Sequence, residues 1–206
     1  MATQKINMRQ EQAYETRKKL LESARKLFAE NGYAGTQVRT INRSIDMADG
    51  LIYHYFPGGK KELLQVLIQE NFQQIITEVK SRNEQIGNLP IAEVLEQIYR
   101  NADEVFTEYL DVFKIFFREN EVRELIEVDQ LMMFIDGRRK WFPEFLRERA
   151  NAGEIRVMDY ESAAVTLSAI MMNHFLVKIT GLGAGCLSDQ EHRFKLIDYQ
   201  VKLWKP

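Results

Sequence analysis

Three helical segments, separated by two turn signals, lie close together near the start of the chain and constrain its fold more than any other feature. The first runs from Tyr14 to Asn31. Its apolar residues recur at the spacing of one helix face: Leu20, Leu21, Ala24, Leu27 and Phe28. Gly32 follows directly, and glycine adopts the left-handed backbone of a helix end at no steric cost. We therefore predict an amphipathic helix that ends at Asn31.

The next two helical segments are short, and a tight turn at Asp46-Met47 separates them. Thr36 is the predicted cap of the first. Aspartate tolerates the left-handed backbone better than most residues, so Asp46 can hold such a turn. The second short helix covers Asp49–Tyr55, and Pro57-Gly58-Gly59 ends it. Because two such helices bury little area alone, the first helix must pack across them, which predicts a three-helix DNA-binding module whose third helix enters the major groove.

Charge is unevenly distributed along the chain, whose net charge is −2. Residues 1–62 hold 11 Lys and Arg against 7 Asp and Glu, a net charge of +4, and the remainder holds 17 against 23, a net charge of −6. Attraction to phosphate depends on local charge, so the N-terminal part suits a nucleic acid. Chance scatter of a few charges over a short segment is the alternative explanation.

The rest of the chain shows helical periodicity and no convincing strand, which predicts an all-α fold of about nine helices. The patterns cover Lys60–Arg82, Ile91–Tyr109, Asp111–Asn120, Val122–Ala150, Tyr160–Thr180 and Ser188–Trp204. The only cysteine, Cys186, cannot form an internal disulfide, and no Cys/His cluster has zinc-ligand spacing. We find no nucleophile beside a base, and therefore expect no enzyme, cofactor or metal site.

No stretch approaches the roughly 20 uninterrupted apolar residues of a membrane span, and the first residues lack the apolar region of a signal peptide. We therefore expect a cytoplasmic protein without a membrane partner.

Three stretches of the N-terminal module resemble the TetR family of helix-turn-helix transcription regulators. Thr36–Ile41 matches its Thr-led second helix, Gly50–Phe56 its G-x-I-Y-x-Y-F recognition helix, and Lys60–Leu63 the K-E-x-L start of its fourth helix. The chain departs from the family at Ile45–Ala48, where Ala-Gly-Val-Ser is usual, and at Asn42, where a small alanine is usual. These departures affect the pose of the third helix and leave its apolar anchors intact.

The resemblance implies which residues contact DNA: Thr36, Gln37, Arg39, Asp49, Gly50, Leu51, Tyr53, His54 and Lys60. Arg39 and Lys60 supply cations for phosphate or guanine, and Gln37 can read adenine. Asp49 either accepts a hydrogen bond from a cytosine or caps the third helix. Tyr55 is expected to pin that helix to the core of the module.

The resemblance also implies two domains: a DNA-binding domain over residues 1–59, with residues 1–12 as a mobile basic arm, and a domain for effector binding and dimerisation over residues 60–206. A homodimer on a palindromic operator would double the phosphate contacts of one recognition helix. The last two helices are the candidates for the dimer interface, through small and apolar residues: Ala163, Ala164, Ser168, Ala169, Ile197, Val201, Leu203 and Trp204.

Soft and aromatic side chains are dense in the second domain. Most must be core, but an apolar cavity with a few polar groups could also hold a hydrophobic effector that releases the repressor from DNA. The candidates are Phe113, Phe117, Met133, Phe134, Trp141, Met172, Asn173 and His174. For His174 a satisfied core or interface histidine is the alternative. For the protein, the alternatives are a regulator without a small ligand, controlled by a protein partner or by abundance, and, more remotely, a helical-bundle enzyme or lipid carrier.

Overall fold

The computed structural model describes residues 2–84, 86, 89–119, 141–183 and 187–206. These residues form nine helices and no strand, which confirms the predicted all-α fold. The helices are α1 (Ala2–Gly35), α2 (Val38–Arg43), α3 (Leu51–Tyr55), α4 (Gly59–Glu84), α5 (Ile91–Glu108), α6 (Leu110–Arg118), α7 (141–151), α8 (Tyr160–Thr180) and α9 (Gln190–Trp204).

The chain divides into two compact units. The first comprises Met1–Phe72 and Asp111–Ile126, and the second comprises Gln73–Leu110 and Glu127–Pro206. The division falls within α4, so this one helix contributes residues to both units.

Helix α1 begins at Ala2, well before the Tyr14 start that the apolar periodicity predicts. Residues 2–12, predicted as a mobile basic arm, lie on this helix, because they contain no glycine or proline to interrupt it. The predicted end is confirmed: Gly32 leaves the helical backbone with φ 76° and ψ 164°, and a last helical turn follows to Gly35.

Helices α1, α2 and α3 contribute their inner faces to the core of the first unit, and α4 and α6 contribute further buried residues. The fully buried side chains of the first three helices and of the residue after α3 include Leu20, Ala24, Phe28, Ile41, Ile52 and Phe56. Full burial of one such large apolar side chain contributes about 1.5–3 kcal/mol, so the short α2 and α3 are held by packing rather than by their own helix propensity. Arg17 of α1 adds a cation–π contact, with its guanidinium 5.5 Å from the centre of the Phe56 ring.

Thr36 is not the cap of α2, contrary to the sequence prediction. The N-terminal cap position is Gln37, which makes no side-chain capping bond. The Thr36 hydroxyl instead donates to the carbonyl oxygens of Gly32 at 2.8 Å and Leu27 at 3.1 Å. The reason is local, because the backbone break at Gly32 leaves carbonyls at the end of α1 without helical donors.

The core of the second unit is built mainly from α5, α7, α8 and α9. Its buried residues include Leu95, Tyr99, Leu146, Leu167 and Ile197. Within this core the Tyr99 hydroxyl donates to Gln200 Oε1 at 2.6 Å, which links α5 to α9. Asp159 caps α8 by accepting from the Ser162 amide at 3.0 Å, and Asp189 caps α9 by accepting from the Glu191 amide at 3.0 Å.

Candidate nucleic-acid interface

The turn between α2 and α3 is tight and carries Asp46 at φ 57°, the one positive φ among the described non-glycine residues. This confirms the prediction that Asp46 holds the turn in place of glycine. The Met47 amide closes the turn by donating to the Asn42 carbonyl oxygen at 3.0 Å. Asn42 itself is fully buried.

Helix α3 turns an apolar side inward and a polar side outward. Ile52 and Phe56 are 0% and 1% exposed, whereas Tyr53 is 55% exposed and His54 is exposed as well. Tyr55 is partly buried, in agreement with its predicted anchoring role. A helix with this division of side chains is fixed to the module by one face and offers the other to a partner.

The ring of Tyr53 lies against Gly59 at the start of α4. A Cβ at Gly59 would come within 3.0 Å of Tyr53 Cε1, and Gly59 has φ 65°. Glycine is therefore required here both by the backbone and by the close ring. Gly50 differs, because its φ is −89° and a Cβ there would meet nothing within 4 Å.

Helix α2 adds exposed polar side chains to the same module. Gln37 and Arg39 are exposed, and Arg39 Nε donates to Gln37 Oε1 at 2.7 Å. Arg43 is exposed too, although it is absent from the predicted contact residues. Its sequence signal was its position four residues after Arg39, which puts both cations on one helix face.

Asp49 does not cap α3, so that alternative from the sequence is wrong. The cap position is Gly50, and no side-chain bond caps the helix. The Asp49 carboxylate instead lies 3.4 Å from Arg43 Nη2, and both side chains are exposed. The backbone carbonyl of Asp49 accepts a hydrogen bond from Asn42 Nδ2 at 2.6 Å.

Two predicted contact residues, Thr36 and Lys60, are engaged inside the module. Thr36 is only 3% exposed, so its side chain does not belong to the exposed set. The Lys60 ammonium donates to the carbonyl oxygens of Tyr33 at 2.6 Å and Thr36 at 2.9 Å, and lies 4.2 Å from the centre of the Tyr33 ring. Lys60 thus ties the start of α4 to the connection between α1 and α2, and its contact with a phosphate stays a prediction.

The structure does not gather the described effector candidates into one buried set. Phe113 is buried against Phe72, with ring centres 6.0 Å apart, whereas Phe117 is exposed. Trp141 is exposed and stacks on Phe145 at 5.4 Å. Met172 and Asn173 are exposed on α8. Met133 and Phe134 lie outside the described residues.

His174 is a satisfied core histidine, as the alternative from the sequence states. Its Nε2 lies 2.8 Å from Asp103 Oδ1, and its Nδ1 accepts from the Leu187 amide at 3.3 Å. Because Nδ1 accepts, Nε2 must carry the proton and donate to the carboxylate. Burial lowers the pKa of His174 below its ordinary value, against the opposing effect of the Asp103 hydrogen bond.

Asp103 receives donors from several side chains as well as His174. Lys178 Nζ lies 2.7 Å from Asp103 Oδ1, and Ser188 Oγ donates to the same oxygen at 3.0 Å. Burial alone would raise the pKa of Asp103, but these donors outweigh burial and hold the pKa below its ordinary value. The cluster joins α5 to α8 and to the start of the segment before α9.

The last two helices leave a second surface of a different kind. Exposed large apolar side chains recur along them: Val165, Met172, Leu176, Phe194, Tyr199 and Leu203. Ser168 and Ala169 are exposed among them, as expected for an interface. Three other predicted interface residues, Ala164, Ile197 and Trp204, are instead buried in the core of the second unit, because they face α5 and its neighbours.

Helix α8 is the one described helix that is long and apolar enough, by length and composition alone, to cross a membrane. Only 22% of its most apolar 18-residue window is buried. Most of this window therefore lies on surface that the described residues of the chain do not cover.

The known proteins that this chain resembles are transcription regulators. The family model described as bacterial regulatory proteins of the tetR family matches residues 20–67. The transcriptional repressor AcnR of Corynebacterium glutamicum is 38% identical over 68 residues, which are 33% of this chain and 35% of the repressor. The chain thus matches about a third of the length of this curated relative. Its name describes a regulator, in agreement with the expectation that the chain is not an enzyme.

Solved structures are similar over almost the whole chain. The ketosteroid transcriptional regulator KstR2 of Mycobacterium tuberculosis has a TM-score of 0.64 at 16% identity, covering 93% of this chain and 95% of the regulator. A transcriptional regulator of Saccharomonospora viridis in complex with choline has a TM-score of 0.66 at 17% identity, with coverage of 92% and 96%. At such identities the likeness shows a shared fold.

Proposed function

Because the chain belongs to the TetR family of helix-turn-helix transcription regulators, we propose that it is a cytoplasmic repressor that binds a palindromic DNA operator as a homodimer. The observation that supports this most directly is the division of α3 into a buried side, with Ile52 and Phe56, and an exposed side, with Tyr53 and His54. A helix held in this way can enter the major groove without losing its packing.

The proposed contacts with DNA come from the exposed side chains of α2 and α3. Gln37 reads adenine, and Arg39 binds phosphate or guanine. Tyr53 and His54 donate to phosphate oxygens. Leu51 is partly buried, and its remaining surface can contact a thymine methyl group.

Gly50 marks the place where we propose that DNA comes nearest to the backbone of the module. Neither its φ of −89° nor its surroundings require glycine, so the space beside it is open to a partner. Gly50→Ala should therefore fold normally and weaken operator binding. Gly35→Ala is the matched control, since its added methyl meets only Asn31 Cβ at an ordinary 3.9 Å.

The homodimer interface is proposed to be the exposed apolar surface of α8 and α9. Large apolar side chains that recur on the exposed sides of helices mark a protein interface, and a two-fold dimer would bury each of these residues once in each copy. A membrane could also cover α8, but α8 packs its other side against α5 and binds Asp103 through His174 and Lys178. These polar contacts favour a second copy of the chain as the covering partner.

We propose further that a hydrophobic effector bound by the second unit releases the repressor, with Trp141 among the lining residues. The effector must prefer the conformer that does not bind DNA. Because α4 runs through both units, it can carry such a change. The engaged ring of His174 and the exposure of Met172 and Asn173 favour the second candidate, a regulator without a small ligand that a protein partner or its abundance controls.

Selection of bound sequences from random DNA duplexes, at a stated salt concentration, tests the proposal. A palindrome should be enriched, and binding should weaken as salt rises, because bound cations displace counterions from DNA. An enriched single half-site would contradict the homodimer. Absence of salt-dependent binding would contradict the DNA-binding function and favour an enzyme or lipid carrier.

A further inference from the structure

The buried side chain of Asn42 bridges the turn between α2 and α3. Its Nδ2 donates to the backbone carbonyl oxygen of Asp49 at 2.6 Å, two residues before α3 begins. The backbone carbonyl oxygen of Asn42 accepts from the Met47 amide at 3.0 Å. One residue at the end of α2 therefore fixes the turn in its middle and at its far end.

The neighbouring Arg43 holds the same residue, Asp49, by its side chain. The two charged groups are exposed and 3.4 Å apart, so their attraction is worth less than about 1 kcal/mol. The hydrogen bond of Asn42 is shorter and part-buried, with a fully buried donor residue, and it is the stronger of the two constraints. Asp49 is thus held at its backbone by Asn42 and at its carboxylate by Arg43.

Helix α3 depends on such a constraint, because it is only five residues long and has no side-chain cap. The connection before it places Asp46, and not a glycine, in the left-handed region. A helix this short does not fix its own direction by internal hydrogen bonds. Its direction is set by the packing of Ile52 and Phe56 and by the connection through Asp49.

We propose that Asn42 is a positioning residue for sequence reading, acting through Asp49 to set how α3 meets the base edges. This inference rests on the proposed function. Hydrogen bonds to base edges tolerate little displacement, whereas contacts with phosphates adapt and carry no sequence information directly. A shift of α3 therefore lowers sequence selectivity more than it lowers general affinity for DNA.

Stability alone does not explain an asparagine at this position. Asn42 Oδ1 is buried without a hydrogen-bond partner in the described structure, and such an atom costs free energy. Replacing Asn42 with alanine removes that cost together with the bond to Asp49, so the free energy of unfolding changes little. The substitution instead impairs the positioning of Asp49 and α3.

The test compares Asn42→Ala with Ser23→Ala, which removes another buried polar contact of the same module, from Ser23 Oγ to Ser44 Oγ and the Ile41 carbonyl. The measured quantity is the ratio of affinities for the selected operator and for a random duplex at fixed salt. Asn42→Ala should lower this ratio about tenfold, comparable to one mismatched base pair, and Ser23→Ala should leave it unchanged. An unchanged ratio in Asn42→Ala overturns the inference.

Failure of the proposed function is recognised separately, because the wild-type chain would then select no sequence. Hydrogen exchange of the free protein tests the positioning without DNA. In Asn42→Ala the amides of Tyr53 and Phe56, which donate to Gly50 and Ile52, should exchange faster, whereas the amide of Ile41 should not. If the amides of Tyr53 and Phe56 exchange at the same rates in Asn42→Ala as in the wild type, the inference is overturned. Asn42→Ser, whose side chain is too short for the bond, serves if the alanine variant does not fold.

Discussion

Helices α3 and α8 both leave one side uncovered, and the chemistry of the two sides is opposite. The exposed residues of α3 are Tyr53 and His54, whose polar groups can bind phosphate and base edges. The large exposed residues of α8 are Val165, Met172 and Leu176, which have no polar group to offer. Exposed polar side chains suit a hydrated, charged partner. Exposed apolar side chains suit a partner surface that excludes water.

This difference separates two kinds of proposed partner within one chain. A protein surface binds nucleic acid through charge and hydrogen bonds, so this surface remains well hydrated when no DNA is bound. Association with a protein partner is stabilised mainly by the removal of apolar surface area from water. Substitutions that change one surface at a time therefore show whether the other surface is affected.

The largest effect is expected at the apolar surface, from Met172→Glu. In a two-fold dimer this change buries an unpaired carboxylate in each copy, at a cost of about 4 kcal/mol, or about a thousandfold in the dimer dissociation constant. Sedimentation velocity over a range of protein concentrations measures the constant. Helical circular dichroism should not change, because Met172 is exposed.

The matched control is Val157→Glu, which places the same charge on an exposed apolar residue between α7 and α8. It should leave the dimer intact. Equal dissociation constants for Met172→Glu and the wild type would show that this side of α8 does not form the interface.

The next effect concerns the inner side of α3. Ile52→Ala removes a fully buried side chain and should lower the free energy of unfolding by about 2–5 kcal/mol, measured by urea denaturation. Tyr53→Ala, one residue away and exposed, should change stability far less while it weakens operator binding. If both variants lost stability equally, the division of α3 into a packed and a free side would be wrong.

The sequence predicted the order of the helices in the first module and most of their ends, because local constraints decide them. Gly32, Asp46 and Pro57-Gly58-Gly59 favour backbone conformations outside a helix, so these ends follow from residue type. The start of α1 was predicted too late, at Tyr14 instead of Ala2. The other errors concern hydrogen bonds and ion pairs between side chains and groups several residues away. Thr36 binds carbonyls behind it instead of capping α2, and Asp49 pairs with Arg43, choices that depend on which donors folding leaves free.

The sequence predicted the described helices of the second unit, but it did not predict which of their side chains lie in the core and which lie on the surface. Periodicity shows that a helix is amphipathic, but it cannot tell which apolar residues face α5 and which face a partner. Ala164 and Trp204 therefore proved to be core, and Met172 proved to be exposed. The pairing of His174 with Asp103 joins residues far apart in the chain, and no local pattern signals it.

A smaller effect is expected where Tyr53 lies on Gly59. Gly59→Ala forces a left-handed backbone on alanine and moves its Cβ to 3.0 Å from the ring, which should lower the free energy of unfolding by about 1–2 kcal/mol. Gly50→Ala is the matched change and should have almost no effect on stability, since nothing lies near its Cβ. If both variants had the same urea midpoint, the conclusion that the fold requires glycine at position 59 but not at position 50 would be wrong.

The smallest effect is the pH dependence that His174 gives to the second unit. Burial lowers the pKa of the folded histidine below the ordinary 6.5, so the unfolded chain binds a proton that the folded chain does not. Stability should therefore fall as the pH drops below about 6.5. Loss of the Asp103 carboxylate follows only at lower pH, because its pKa is held below the ordinary 3.8.

Urea denaturation at pH 7 and pH 5 measures this dependence in the wild type and in two variants. His174→Gln should reduce the stability lost between these values, because glutamine has no proton to gain. His192→Gln, an exposed histidine of α9, should lose as much as the wild type. His174 is buried and does not lie on the exposed side of α8, so the change should appear equally in a Met172→Glu background that no longer dimerises. An equal loss in His174→Gln and the wild type would mean that protonation of this ring does not distinguish the folded from the unfolded chain.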